Sequence, residues 1–491
     1  MTYTYSKQTS KIIMLVLFLI SSIFINKTLM PVTNTNSQIN DSTVLTTDVT
    51  VFETSTTANI NNKNVDLENL PEKYDSRDYE LITPVKSQAS SDNCWAFATI
   101  SALESDYIAQ GLGTAKNTDF SESHLAWFAN RSITADGDNS SSNEGKLAAT
   151  PYKEAGNWFI TTAALSRWSG IAKESSFPFP VGCSDTAEPL SEADRYVNDA
   201  GVIIKSAEVL DETDRNAIKR WIVEHGSVCV SLYNNFDYYN KGKDGYAFYY
   251  GGEETSNHQI VIIGWDDTFS VDNFNPERRP KSPGAWLCKD SQGEEWCDSG
   301  FSWVSYEHKS LTNFVGTTCQ PSYKYDNNYT YNGYGWSASL TCDNNSCAAN
   351  VFKANDNEVL KAVSFYTVNP NTKIQIRVYT NLPDNAATPV EGVLKYTSQE
   401  LLFENWGYHT VDLTKEIELP KDTSFSIVLR FSSDSDRVQI PVESKNNSRG
   451  VTYVSKPGES YIYAPNYSVL WLGSEAYSSC NVCIQAFTLN K

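Results

Sequence analysis

Basic residues are scarce in this chain of 491 residues. It contains 39 lysines and arginines against 59 aspartates and glutamates, which gives a formal net charge of −20 and an isoelectric point of about 4.7. Binding to nucleic-acid phosphates requires a basic surface, so we predict no nucleic-acid partner. An acidic balance of this size favours a soluble, extracellular protein. The length favours two or three domains of about 150 residues each.

Long apolar runs are also nearly absent. The one candidate is Ile12–Ile25, which is interrupted only by Ser21 and Ser22 and is preceded by Lys7 and Lys11. Its fourteen residues are fewer than the roughly 20 that a membrane-spanning helix needs. A positive start followed by a short apolar core is typical of a secretion signal.

The N-terminal residues therefore indicate export. We predict that residues 1–27 are a signal peptide, or a signal anchor that is not removed, since no A-x-A cleavage site is visible. A membrane would be a partner only if this segment stays uncleaved. Residues 28–70 are rich in Thr, Asn and Ser, which indicates a flexible propeptide or linker. The expected location is extracellular, either secreted or at the cell surface.

Metal-ligand patterns are missing as well. Cys480 and Cys483 form a C-x-x-C pair, but no second pair with zinc-ligand spacing accompanies them. We interpret them as structural and predict neither a metal nor an organic cofactor. The chain has ten cysteines, and an exported protein can form disulfides. If one thiol is kept free for chemistry, nine remain, so at least one more should be unpaired.

The most informative segment of the chain is P-V-K-S-Q-A-S-S-D-N-C-W-A-F-A at residues 84–98. After Cys94, apolar side chains recur every three or four residues, at Phe97, Ile100, Leu103 and Tyr107. This period predicts a helix with one buried face, and Asp92 and Asn93 are favourable residues for capping its start. Cys94 would then lie in the first turn, where the positive end of the helix dipole stabilises a thiolate.

Gln88 precedes Cys94 by six residues and carries a side-chain amide. Such an amide can donate to a developing oxyanion beside the backbone N–H of Cys94. A cysteine on a core helix is, taken alone, more often a buried structural residue. The surrounding Q-x5-C-W-A-F pattern favours a nucleophile over that alternative.

A thiol nucleophile needs a base that is held in one tautomer. The five histidines are His124, His225, His258, His308 and His409. His258 opens an apolar, β-branched run that ends at Gly264, which predicts a buried central strand with the histidine at its mouth. We interpret the other four as structural. His124 is the nearest rival, because it follows a serine-capped helix start.

The third catalytic group is expected at the end of the next strand. Residues 284–293, G-A-W-L-C-K-D-S-Q-G, show a strand pattern followed by a turn, with Asp290 where the strand ends. An aspartate at such a position is commonly only a turn residue. The order Cys94, His258, Asp290 along the chain instead places it to accept a hydrogen bond from Nδ1–H of the histidine.

These segments together resemble the papain family of cysteine peptidases, from Leu70 to roughly Ser310. The motifs are L-P-E-K-Y-D-S-R-D-Y, the segment around Cys94, F-S-E-S-H-L, G-N-W-F-I-T-T-A-A-L-S-R-W-S-G, N-H-Q-I-V-I-I-G-W-D-D and K-D-S-Q-G. A-L-S-R-W-S-G and G-W-D-D are closer to a bacterial and archaeal branch in which a β-rich lectin-like domain follows the peptidase. The resemblance implies that Gln88 supplies the oxyanion hole, Cys94 attacks, His258 is base and then acid, and Asp290 orients His258.

The chain departs from the family pattern close to these residues. Ser91 replaces a cysteine that normally forms a disulfide, and Asp92 replaces a glycine and brings a negative charge near the thiol. In D-S-Q-G, Asp290 replaces the usual asparagine. Gln292 replaces a tryptophan that shields the His–Asn hydrogen bond from water. These changes make weakened or altered activity one expected outcome.

Two further cysteines are unusual for the family. Cys288 and Cys297 occupy positions that are usually aliphatic and glycine. Because both cysteines appear together, a local disulfide between them is the economical interpretation.

After about Gln320 the helical periodicity fades and short alternating strands appear. Turn signals such as N-P-N at 369–371 separate them, and strands with this spacing predict an antiparallel sandwich. The stretches L-K-A-V-S-F-Y-T at 360–367 and N-V-C-I-Q-A-F-T at 481–488 resemble the lectin-like module of the same branch. Its tryptophans could stack on sugars or fill the sandwich core. The core is the favoured interpretation for Trp336, Trp406 and Trp471.

The predicted fold is an α+β, two-lobed papain-like peptidase domain at 71–320, followed by an all-β sandwich, lectin-like domain at 321–491. The predicted reaction is hydrolysis of peptide bonds in protein or peptide substrates through a Cys94 thioester. The alternative is a weakened or inactive homologue that acts in surface adhesion or recognition, with carbohydrate or cell-surface ligands bound by the C-terminal domain. A transglutaminase-like or transpeptidase use of the same thioester is a third interpretation.

Overall fold

The computed structural model describes residues 50–51, 65–129, 151–180, 190–444, 455–463, 465, 471–473 and 480–491. The predicted signal segment 1–27, most of the predicted propeptide and Cys183 lie outside these residues, and the predictions about them stay predictions. Within the described ranges, no helix is both long enough and apolar enough to span a lipid bilayer.

Helices are concentrated in the first half of the chain. The α-helices of the described residues are α1 (Cys94–Ala109), α2 (Glu122–Ala129), α3 (Trp158–Ser166) and α4 (Arg215–His225). Single 3-10 turns occur at Ser76–Tyr79, Pro151–Lys153, Glu192–Asp194, Phe236–Tyr238, Val271–Asn273 and Ser322–Lys324.

Strands make up most of the remaining described structure. They are β1 (Thr50–Val51), β2 (Lys73–Asp75), β3 (Val202–Val209), β4 (Val228–Leu232), β5 (Tyr239–Gly242), β6 (Gly245–Phe248), β7 (His258–Asp266), β8 (Ala285–Lys289), β9 (Phe301–Ser305), β10 (Thr312–Pro321), β11 (Asn327–Tyr329), β12 (Ala338–Asp343), β13 (Cys347–Lys353), β14 (Glu358–Thr367), β15 (Thr372–Leu382), β16 (Val393–Thr397), β17 (Leu401–Phe403), β18 (Trp406–Leu419), β19 (Ser424–Ser432), β20 (Arg437–Ser444), β21 (Ser460–Tyr463), β22 (Leu472–Gly473), β23 (Cys480–Val482) and β24 (Ile484–Asn490).

Helix α1 is enclosed on all sides. Every residue from Trp95 to Ala109 except Tyr107 is buried, whereas the apolar period of the sequence predicted a single buried face. The difference arises because α2, α3, α4, β7 and β10 all contact the helix. A helix surrounded in this way has no solvent face to leave polar, and its first residue, Cys94, is partly exposed.

The largest sheet runs through both domains. Its strand order is β11-β24-β14-β18-β3-β10-β4-β7-β8-β9-β6-β5, with β2 added beside β7. The two domains join where β18 pairs antiparallel with β3, so that Trp406 lies opposite Val209 and His409 opposite Ser206. The catalytic strands β7 and β8 and the C-terminal strands therefore belong to one continuous hydrogen-bonded layer.

The C-terminal part is the predicted all-β sandwich. A second sheet has the order β1-β17-β15-β19-β13-β21-β22, with β16 beside β15, and a small third sheet has the order β12-β20-β23. Ile376 and Leu429 of the second sheet share one apolar core with Val363 and Val411 of the large sheet.

Two predictions for the tryptophans are wrong. Trp336 and Trp406 do not fill the sandwich core but pack, partly buried, against the core of the peptidase domain. Tyr366 and Tyr408 of the C-terminal strands are fully part of that peptidase core. The apolar core thus crosses the sequence boundary between the domains.

Candidate active site

Cys94 is the first residue of α1, and its thiol is free and only partly buried. Asn93 occupies the N-cap position, but its side chain makes no cap hydrogen bond. Its amide donates instead to the carbonyl of Pro151 at 3.1 Å and, more weakly, to that of Glu154 at 3.4 Å. Asp92 is exposed to solvent. Asn93 therefore links the segment before α3 to the start of α1 by hydrogen bonds.

His258 and Asp290 come together because their strands are neighbours. His258 opens β7, Asp290 directly follows β8, and the two strands pair antiparallel. His258 Nε2 lies 2.9 Å from Asp290 Oδ1, so the predicted contact through Nδ1 is wrong. The backbone N–H of Ser291 donates to the same carboxylate oxygen at 2.7 Å. Cys94 lies near enough to the His258 ring to contribute to raising the pKa of that ring.

Opposing effects set the pKa of His258. Burial lowers it, because a charged ring loses its hydration. The charge and hydrogen bond of Asp290, together with the Cys94 contact, raise it, and the resulting pKa is about 10. The ring is therefore an imidazolium at neutral pH, which is the cation that stabilises a neighbouring thiolate.

Gln88 is held in place by Ser291, the residue after Asp290. The backbone N–H of Gln88 donates to the Ser291 carbonyl at 2.7 Å, and the Ser291 hydroxyl donates to Gln88 Oε1 at 2.6 Å. Gln88 Nε2 donates to the Ser91 carbonyl at 2.8 Å. The amide is thus oriented with its nitrogen toward the nucleophile loop. The motif D-S-Q-G contains Ser291, but no local pattern predicts a role for it.

Gln292 does not leave the catalytic pair open to water. His258 is 8% exposed and Asp290 is 5% exposed. Trp296, which the sequence did not single out, packs on Phe236 at 4.7 Å and on Tyr239 at 5.2 Å between ring centroids. Tyr239 lies near Asp290, since burial and that carboxylate together raise the pKa of the phenol well above its usual range. These rings shield the site where the family uses a tryptophan.

The predicted disulfide between Cys288 and Cys297 is wrong. Both are free thiols, as are the other cysteines that the structure describes. Cys288 is committed to the apolar core behind β8, while Cys297 lies in a turn with a φ of 47°. Burial, aided by nearby carboxylates, raises the pKa of Cys297 to about 12. A thiol in that state is a poor nucleophile, so Cys297 does not compete with Cys94.

The four other histidines have partners of their own. They are buried apart from a partly exposed His225, which fits a structural role. Their polar contacts are His124 with the Asp194 carbonyl, His225 with Asp106, His308 with Ser310 and His409 with Thr367.

A cluster of buried charges lies next to the catalytic residues and was not predicted. Lys86 Nζ lies 3.2 Å from Glu104, 2.7 Å from Asp119 and 2.9 Å from Glu122. Glu104 and Glu122 are 1% and 2% exposed. Burial lowers the pKa of Lys86, but the carboxylates raise it well above its ordinary range. A cavity of about 20 Å³ connects this cluster to Asp290, which also lines it.

The fold is of the papain type, followed by a lectin-like domain. The family model described as papain family cysteine protease matches residues 70–325, more than half of the chain, and the protein belongs to that family. The model described as lectin like domain matches residues 328–488. The predicted fold class and family are thereby confirmed. The predicted domain limits, 71–320 and 321–491, stay predictions.

Solved structures that contain both parts are similar over most of the chain. The clostridial cysteine protease Cwp84 after propeptide cleavage is 25% identical, with a TM-score of 0.71, and the match covers 85% of this chain and 99% of that one. A second structure holds the cysteine protease and lectin-like domains of Cwp84, described as a surface layer associated protein of Clostridium difficile. It has the same identity and TM-score, with 86% and 90% covered.

Curated relatives match the peptidase part alone. The probable cysteine protease RD19B of Arabidopsis thaliana is 27% identical over 238 residues, which are 48% of this chain and 58% of that protein. Vignain of Vigna mungo is 25% identical over 264 residues, with 52% and 60% covered. The chain thus spans about three-fifths of the length of these relatives.

Replacing Asp290 by the family's asparagine should lower the pKa of His258, because a negative charge next to the imidazolium is removed. The native pKa of about 10 lies above the unfolded value of about 6.5. The His258 ring therefore loses its proton as the pH rises through about 10. Any stability that the protonated ring contributes to the fold is complete below about pH 6.5 and is lost over the same rise. In Asp290→Asn the alkaline loss of kcat/KM should begin at a lower pH.

The measurement is the pH profile of kcat/KM for one peptide substrate. Asp434→Asn is the matched control, because this aspartate is 87% exposed and pairs only with Lys373 on the surface. An alkaline limb at the native pH in Asp290→Asn would contradict the assigned contact.

Lys86→Met should destabilise the fold, because the buried Glu104 and Glu122 would lose the cation that donates a hydrogen bond to each of them. Breaking one side of a buried ion pair costs about 3 kcal/mol or more, so the free energy of unfolding in urea should fall by about that amount. The control is Lys491→Met, which removes an exposed pair with Glu418 and should change stability by less than about 1 kcal/mol. Equal small changes in both variants would show that the cluster does not hold the helices together.

Proposed function

We propose that this protein is an exported endopeptidase that hydrolyses peptide bonds of protein substrates through a thioester on Cys94. Membership of the papain family supports the cysteine protease class. The observation that carries the proposal is the contact of Cys94 with His258, whose Nε2 is hydrogen-bonded to the buried Asp290. A thiolate, an imidazolium and an orienting carboxylate in this order are the groups that acyl transfer requires.

The proposed reaction has two halves. The Cys94 thiolate attacks the scissile carbonyl carbon, and the backbone N–H of Cys94 and the Gln88 amide stabilise the oxyanion. His258 gives its proton to the leaving amine as the C–N bond breaks, which leaves a thioester. His258 then takes a proton from water, whose oxygen attacks the thioester, and the acid product leaves as the Cys94 sulfur becomes free again. Asp290 keeps the ring in one orientation throughout.

The proposed location is outside the cell. The lysines and the apolar run at residues 7–25 support export, and the acidic balance suits a soluble extracellular protein. Cwp84, which is 25% identical to this chain, is described as a surface layer associated protein. A secreted or surface-associated protease is the role consistent with these observations.

The inactive-homologue alternative has less support. Two departures from the family pattern motivate it, the D-S-Q-G turn with Asp290 and Gln292, and Asp92 beside the nucleophile. Asp290 nevertheless contacts His258, and both stay more than nine-tenths buried. Gln88 is also held by two hydrogen bonds to Ser291. An inactive homologue would not need these side chains to be held in this arrangement.

An epoxide-type thiol probe should label the full chain once, and Cys94→Ala should abolish the labelling. The reason is that the thiolate at the start of α1 is the reactive species, whereas Cys297 and the buried thiols remain protonated. Intact-mass spectrometry between pH 5 and 8 measures the stoichiometry, and Cys297→Ala is the matched control. Folded protein that stays unlabelled, or labelling that persists in Cys94→Ala, would refute the assignment.

Gln88→Ala should reduce kcat for peptide hydrolysis by about a hundredfold, because one oxyanion donor is removed. The rate of Cys94 alkylation by iodoacetamide should stay nearly unchanged, since that reaction forms no oxyanion. Gln292→Ala tests a neighbouring glutamine that the mechanism does not use and should retain full activity. A parallel fall of alkylation and hydrolysis in Gln88→Ala would indicate a misplaced nucleophile instead of a lost donor.

A further inference from the structure

Four large aromatic side chains from both domains meet beside the start of α3. This aromatic junction consists of Trp158 and Phe159 of α3, and of Trp336 and Trp406 of the C-terminal domain. Ring centroids are 5.5 Å apart for Trp158 and Trp406, 5.3 Å for Phe159 and Trp336, and 5.8 Å for the two C-terminal tryptophans. Trp158 is 3% exposed, whereas the other three keep part of their surface in solvent.

The C-terminal half of the junction is fixed before any ligand arrives. Arg167, just after α3, donates to the Gly333 carbonyl in the loop that carries Trp336. The buried Glu443 accepts from the backbone N–H of Gly333 at 2.8 Å and from that of Tyr334. The other C-terminal tryptophan begins β18, which is paired with β3. Rings held in this way bind at a low entropic cost.

The junction lies close to the nucleophile. Gly156 packs so tightly on the indole ring of Trp95, the residue after Cys94, that a Cβ at this position would overlap the ring. The indole N–H of Trp95 donates to the Glu154 carbonyl at 3.1 Å, which holds the same segment. The three residue-to-residue steps from Gly156 to Phe159 span at most about 11 Å. An extended substrate advances about 3.3 Å per residue, so the junction is within reach of its flanking residues.

The chemistry of the exposed ring surface favours an apolar ligand. A sugar bound on a tryptophan needs polar groups around the ring, but the Trp336 N–H already donates to Ser339 Oγ at 2.9 Å. The rings of the junction meet edge to face, with interplanar angles of 69°, 66° and 86°, so that part of the ring surface is already covered by other rings. A large apolar side chain gains from contact with such edges without needing hydrogen bonds.

We propose that Trp336 and Trp406 extend the substrate-binding surface of the peptidase onto the C-terminal domain and bind a large apolar side chain of the substrate. This residue would lie roughly three or four positions from the scissile bond, given the spacing above. The inference rests on the proposed peptidase function. It gives the C-terminal domain a role in selecting the peptide sequence that is cleaved.

The test uses the full chain with Trp336→Ala, Trp406→Ala and the conservative replacements by phenylalanine. Peptides are varied at each of four positions on either side of the scissile bond. At one position, kcat/KM for large apolar side chains should fall about tenfold in the alanine variants, mainly through KM, because a stacked aromatic contact is lost. Peptides with alanine there should be cleaved at the native rate, and the phenylalanine variants should keep most of the preference.

Two controls separate substrate contact from a merely structural role. The iodoacetamide rate of Cys94 should stay native in all variants, because this small reagent does not reach the junction. Trp471→Ala removes a partly exposed tryptophan that contacts Tyr463 in the C-terminal domain and should leave the cleavage profile unchanged. If an alanine variant does not fold, the cleavage profile is measured with the phenylalanine variant instead.

Three results would overturn the proposal. A uniform fall for all peptides and for iodoacetamide would mean that the junction only supports α3. An unchanged preference at every position would mean that substrate does not touch it. Loss of glycan binding with a native cleavage profile would assign the surface to sugar. Failure of the peptidase function itself is distinguishable, because native protein would then cleave no peptide and take up no epoxide probe.

Discussion

The burial of helix α1 on every side is the constraint on which the rest of the molecule depends. A helix with no solvent face must find partners for its polar side chains inside the protein, since an unpaired buried charge is costly. Glu104 forms an ion pair with Lys86 of the nucleophile loop. The Asp106 carboxylate is hydrogen-bonded to the His225 ring at 2.8 Å and accepts from the backbone N–H of Cys319 at 2.7 Å. Elements from both lobes thus close around the sides of the helix, while Cys94 at its start stays partly exposed.

The same constraint explains why the C-terminal domain forms part of the core and of the sheet of the peptidase domain. Strand β3, whose residues Ile204 and Ala207 belong to the core around α1, forms hydrogen bonds to β10 on one side and to β18 on the other. Tyr366 and Tyr408 then complete the apolar core beside α3. Family models place the boundary between residues 325 and 328, yet neither the sheet nor the core stops there. Sequence domains and folding units differ in this protein.

Local patterns in the sequence were sufficient to find the catalytic candidates, because Cys94 starts a periodic helix and His258 starts a β-branched strand. The same patterns could not give the ring nitrogen that contacts Asp290, which depends on side-chain rotation set by packing. Ser291 and Gln88 meet across 203 positions of the chain, and no local signal reports such a pairing. Spacing also misjudged Cys288, because nearness in sequence does not show that its side chain is committed to the core.

Asp290 in place of asparagine changes the electrostatics of the site. An asparagine would orient His258 as a neutral acceptor, whereas the carboxylate adds a full negative charge beside the ring and holds its pKa at about 10. A stronger hold on the proton keeps the imidazolium present over a wider alkaline range. It also makes the ring a weaker acid toward the leaving amine, and proton transfer becomes less favourable as the donor pKa rises above the working pH. The oxyanion would moreover form near an additional negative charge, so its stabilisation depends more strongly on the fixed N–H donors. Gln88, one of these donors, is held by two hydrogen bonds to Ser291, the residue that follows Asp290. The oxyanion donor therefore lies next to the carboxylate whose charge makes it necessary.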